Sequence, residues 1–144
     1  FKIEMKKLSK SKKLESRIRF INSVHPNQIL SVCKLADVGI APIENLCKSY
    51  YLSLPNKIFE YIHAELPVLV SDFPEMKNIV ENYSVGEVFN VNDPSSLIEV
   101  INNYFDNPGQ IIKYEQNCLQ ASKELNWDHE EKKLFNLYKK IIDR

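Results

Sequence analysis

Residues 53–72 read SLPNKIFEYIHAELPVLVSD, and this stretch decides the fold. Pro55 suits the first turn of a helix, where its missing N–H would lack a partner anyway, with Ser53 or Leu54 as the cap. At about 100° per residue, Ile58, Phe59, Ile62 and Leu66 share one arc. Lys57, Glu60, Tyr61 and Ala64 share the other. The apolar run PVLVSD, Pro67 to Asp72, follows almost without a loop and reads as a buried strand. A helix feeding straight into a buried strand predicts a parallel sheet with helices on its faces.

The flanks extend the same pattern. Residues 2–14 read as a basic helix, and RIRFINSV (17–24) alternates like a half-buried strand. His25-Pro26-Asn27 breaks that run. A short helix is expected over 27–36, with Ile29, Leu30, Val32, Cys33 and Leu35 turned inward. DVGIAPI (37–43) reads as a buried strand ending at Pro42, and 44–52 as a polar and aromatic loop without a clear period. After the central stretch come a helix from Pro74 through Val80 and a strand over 86–90. A helix capped by the NDPSS segment then runs to about Phe105. Two further helices are expected over 109–125 and 128–142, the last with Asp128 as its N-cap. Strands alternating with helices make the expected class α/β, a Rossmann-like parallel sheet flanked by helices, in a single domain over 1–144.

Composition narrows the chemistry. The 144 residues are 44% hydrophobic and 26% charged, as in ordinary globular proteins, and the net charge is zero. A chain without excess positive charge is not a general nucleic-acid binder. The charge is uneven, however. Eight Lys and Arg residues stand in 1–19 against Glu4 and Glu15, which fits either a solvated helix face or a patch for a membrane surface. Cys33, Cys47 and Cys118 are odd in number and far apart, which predicts reduced thiols and a cytoplasmic setting. They make no zinc-like spacing with His25, His63 or His129, so neither a metal nor a cofactor is expected. With only Gly39, Gly86 and Gly109, the chain has neither a glycine-rich phosphate loop nor a dinucleotide fingerprint.

A different phosphate device is available. The start of a helix just beyond the carboxyl end of a parallel strand offers free N–H groups and a positive dipole end to an anion. Lys57 adds a full charge there. Glu60, one turn deeper, can accept hydrogen bonds from the vicinal hydroxyls of a ribose. The same three-residue spacing also fits an exposed ion pair worth a few tenths of a kcal/mol.

The run SLPNKIFEYIHAELPVLVSDFPEMKNIVENYSVGEVFNVND resembles the C-terminal, donor-binding half of GT-B glycosyltransferases, above all the bacterial retaining enzymes of capsule, O-antigen and exopolysaccharide assembly. The motif is the Pro-x-Lys-x-x-Glu-Tyr helix start followed by a Pro-Val strand. HPNQILSVCKLADVGIAPI is similar to the preceding unit, and LNWDHEEKKLFNLYKKII to the tail helix after a tryptophan. The resemblance implies that Glu60 holds the donor ribose and Lys57 lies near the diphosphate, the two residues assigned to catalysis. It implies that Ser53, Leu54 and Asn56 approach the phosphates and sugar, and that Val24 and His25 lodge the base. A turn role before Pro26 is an equal reading of His25.

The chain also departs from the family pattern. Leu52 occupies a position where many relatives carry a glutamate, and Glu65 replaces the turn glycine before Pro67. In the family's strand order two more strands lie between RIRF and DVGIA, so a gapped sheet is expected. The resemblance therefore implies part of a larger two-domain protein, or a chain completed by a partner subunit, with the acceptor-binding half elsewhere. The function expected is donor binding in sugar transfer from a nucleoside-diphosphate sugar to a glycan or lipid-linked acceptor. The alternative is a non-catalytic scaffold module working with a separate subunit. The expected location is cytoplasmic, with a peripheral place on the inner membrane face as one reading of the basic stretch.

Overall fold

Three strands, β1 (Gly39–Ala41), β2 (Val68–Ser71) and β3 (Gly86–Phe89), lie in that order in a computed structural model that describes residues 2–142. Both pairings are parallel, with Leu69 between Ile40 and Glu87. As the central strand, β2 is buried along its whole length, which is why it reads as a continuous apolar run. Gly86 is required where β3 passes β2, because a Cβ there would overlap the Val68 carbonyl oxygen.

Helices α1 (Lys2–Ser11) and α2 (Ile29–Cys33) precede β1, with a 3-10 turn over Pro26–Gln28 just before α2. Between β1 and β2 lie α3 (Lys48–Tyr51) and α4 (Asn56–His63), and α5 (Pro74–Tyr83) joins β2 to β3. Then follow α6 (Pro94–Asp106), α7 (Pro108–Ala121) and α8 (Trp127–Ile142). Alternation along β2 divides the core in two. Val68 and Val70 pack with Ile58, Ile62, Met76 and Cys118 from α4, α5 and α7, whereas Leu69 packs with Phe89, Tyr104 and Tyr114. The α/β class and the parallel sheet covered by helices are as expected from sequence.

Several local expectations are corrected. Residues 18–25 belong to no strand or helix, and Ile18 and Ile21 are exposed. Alternation marks a strand only where a neighbouring strand supplies hydrogen bonds, and among the described residues no strand pairs with this segment. Leu30 and Leu35 face solvent rather than the core. The aromatic loop contains α3, whose single turn is too short to show a period. The last helix begins at Trp127, so Asp128 lies inside its first turn, and Asn126 Oδ1 accepts from the His129 amide at 3.1 Å instead. Asp93, by contrast, caps α6 as expected, accepting from the Ser95 amide at 2.9 Å. Among the described residues no helix is long and apolar enough to cross a membrane.

Candidate functional site

The chain leaves β1 at Ala41 and returns to β2 at Val68, so α4 starts on the side where the parallel strands end. Pro55 is the N-cap residue of this helix rather than its first helical residue, with φ −74° and ψ 142°. No side chain caps α4. Ser53, expected as a cap, instead turns its hydroxyl back to the Tyr50 carbonyl at 2.8 Å and closes the end of α3. The Pro55 carbonyl accepts from the Ile58 amide at 3.1 Å, while the amides of Asn56 and Lys57 precede the intrahelical ladder. A proline cap forces this arrangement, because it has no side-chain acceptor to offer them.

Lys57 and Glu60 are both half-buried at this helix start. Among the described residues no ion pair joins them, so the ion-pair reading of their spacing is not realised. Helix α2 packs against α4, and the Glu60 carboxylate lies near Cys33 of α2. Burial pushes the Cys33 thiol up, and the Glu60 carboxylate nearby pushes it further. The Tyr61 phenol is raised first by burial, then by Cys33 and Glu60.

The second arc of α4 is therefore less free than its sequence implies. Ala64 is buried, and the Tyr61 ring lies over Gly39, where a Cβ would collide with it. The Tyr61 hydroxyl donates to the Ile40 carbonyl at 3.4 Å. Tyr61 thus anchors α4 to β1 and holds Glu60 in register, a role hidden in sequence because its partner is an edge-strand carbonyl.

Of the other expected residues, Leu54 packs against the core and Asn56 is exposed. Both line a mainly apolar groove of about 560 Å³ with Phe59, His63, Ile79 and Trp127. His63 Nε2 donates to the Leu125 carbonyl at 2.8 Å and ties the chain before α8 to α4. Val24 is half-buried and His25 exposed. His25 caps the 3-10 turn, its Nδ1 accepting from the Asn27 amide at 3.3 Å. This is the turn role, and among the described residues no hydrogen bond engages Nε2. Among the described residues no hydrogen bond, ion pair or ring contact links Val24 or His25 to α4. Leu52 is exposed at the end of α3.

Glu65 keeps the glycine-like turn despite its side chain, with φ 62°. Its carboxylate pairs with Lys34 at 3.0 Å, at the surface. A separate polar cleft lies around Glu87, near the start of β3. There Glu87 accepts from the Tyr114 hydroxyl, and burial followed by that hydrogen bond pushes the Tyr114 phenol up to about 12.

Residues 2–125 match the family described as "Glycosyl transferases group 1". The chain belongs to the group 1 glycosyl transferases. No curated protein matches it in sequence. Among solved structures, a sucrose-phosphate synthase from Thermosynechococcus elongatus is similar to this glycosyl transferase chain, with a TM-score of 0.82 and 18% identity. The likeness covers 96% of this chain and 34% of the synthase, so the chain spans about a third of that protein. At that identity the likeness shows the fold, a partial C-terminal half of the GT-B architecture. The α4 start thus stands at the strand ends of a glycosyl transferase fold, where open α/β sheets bind their ligands.

Proposed function

We propose that this group 1 glycosyl transferase domain holds the nucleoside-diphosphate sugar from which a sugar is transferred to a glycan or lipid-linked acceptor. One observation carries the reading. Lys57 and the uncapped amides of Asn56 and Lys57 meet at one helix start, and Lys57 makes no ion pair with Glu60. A dianionic diphosphate is the ligand that combination suits. As the glycosidic bond to the donor breaks, negative charge grows on the leaving diphosphate, and a fixed cation with oriented N–H groups stabilises it. We assign that work to Lys57 and to no metal or cofactor. Glu60 takes the ribose hydroxyls, Ser53, Leu54 and Asn56 flank the phosphates and sugar, and Val24 and His25 stand near the base.

The Pro-x-Lys-x-x-Glu-Tyr start of α4 supports a bacterial retaining enzyme of capsule, O-antigen or exopolysaccharide assembly. Acceptor binding belongs in this reading to another domain of a larger protein or to a partner subunit. A protein of these 144 residues alone is then inactive, because half a cleft cannot orient both reactants. The exposed basic residues of α1 are the face we place toward an anionic membrane surface on its cytoplasmic side.

Calorimetric titration with UDP, GDP and their sugars tests the donor role. Glu60→Gln is expected to weaken binding by about 1.5–3 kcal/mol, the worth of a hydrogen bond to a charged group. Unchanged affinity for a nucleotide that the unsubstituted chain binds would remove Glu60 from the site.

A further inference from the structure

Ser71 ends β2 fully buried behind Val68, Leu69 and Val70, where a hydroxyl needs a partner. It has two. Its Oγ accepts from the Ile43 amide at 2.8 Å and donates to the Ile43 carbonyl at 2.9 Å. The reason is in the ladder between β1 and β2, which stops with Ala41 opposite Val70. The next residue on the β1 side is Pro42, which has no N–H and cannot continue the pairing. Ser71 takes up the amide and carbonyl of the residue after it with a side chain.

A second hold lies two residues further on. The Phe73 ring contacts the Tyr51 ring of α3, with centroids 5.2 Å apart. The end of β2 and the turn after it therefore grip both ends of the segment from Ile43 to Tyr51, which hands the chain on to Ser53, Pro55 and Lys57. We infer that Ser71 is a positioning residue for the donor, fixing through Ile43 the loop that sets the start of α4 against the diphosphate. This inference rests on the donor-binding reading above.

The test compares Ser71→Ala, Ser71→Thr and the unsubstituted chain. Affinities for a nucleoside diphosphate and for its bare nucleoside are measured by calorimetry, with amide exchange of Ile43 followed alongside. Losing both hydroxyl bonds is expected to speed exchange at Ile43 and to weaken diphosphate binding about tenfold, while nucleoside binding changes less than about twofold. Ser71→Thr keeps the hydroxyl and restores diphosphate affinity. If Ser71→Ala does not fold, Tyr51→Leu loosens the other hold and is expected to give the same selective loss. A merely structural serine would lower the melting temperature and leave both affinities intact, and that result would overturn the inference alone. An unsubstituted chain that binds no nucleotide would overturn the donor reading and the inference with it.

Discussion

Glu65 offers a stringent test of how the turn between α4 and β2 is built. At φ 62° its backbone is in the left-handed region, where a Cβ crowds the following carbonyl and costs roughly 1–2 kcal/mol relative to glycine. Its side chain makes an ion pair with Lys34, but with the side chains 45% and 52% exposed that pair is worth about 0–1 kcal/mol. Glu65→Gly removes the strain and the pair together, and frees the unfolded chain by about 0.5–1 kcal/mol. The net expectation is a small stabilisation, about 0.5 kcal/mol. Glu65→Ala removes the same pair and keeps the strain, so it should be less stable than the native chain. The sharper quantity is the difference between the two variants, about 1 kcal/mol in favour of glycine, or roughly 2–5 °C in melting temperature. Thermal unfolding and urea midpoints measure it. An alanine variant as stable as the glycine variant would show that the turn stores no left-handed strain.

Gly86→Ala should destabilise the sheet by roughly 3 kcal/mol or more, since its Cβ would overlap the Val68 carbonyl oxygen and force β2 and β3 apart; urea denaturation reads this directly. Tyr114 gives a pH signature. Burial, then the Glu87 hydrogen bond, pushes its folded phenol up from the ordinary 10.0 to about 12, so its contribution is complete below pH 10 and fades as pH rises toward 12. Glu87→Gln, by removing the carboxylate that accepts its hydrogen bond, should lower that phenol's pKa, as followed by tyrosinate absorbance.

The sequence made the architecture legible where one local signal sufficed. The buried β2 run, the apolar arc of Ile58 and Ile62, and the Asp93 cap all depend on neighbours a few residues away. What stayed hidden depends on distant partners. Residues 17–24 alternate like a strand, yet pairing needs a neighbour that periodicity cannot supply. Ser71 looks like a polar end to an apolar run, because its partner Ile43 is 28 residues away. Asp128 and Asn126 are both good capping types two positions apart, and only the position of the first helical residue, Trp127, separates them. At the candidate site, the placement of Lys57 and Glu60 on one helix start was readable from spacing. The absence of an ion pair between them, and the nearness of Glu60 to Cys33 of α2, were not.

The central claim is that Lys57 faces a diphosphate while Glu60 faces a ribose, and four affinities, each taken at two salt concentrations, test it most directly. Lys57→Ala and Glu60→Gln are each titrated against a nucleoside and its diphosphate, at low and at physiological salt. Lys57→Ala should weaken the diphosphate much more than the nucleoside, and the difference should shrink as salt rises, because the half-buried ammonium is partly screened. Glu60→Gln should weaken both ligands alike, by about 1.5–3 kcal/mol. If neither substitution distinguishes the two ligands, the start of α4 is scaffold and the donor site lies elsewhere.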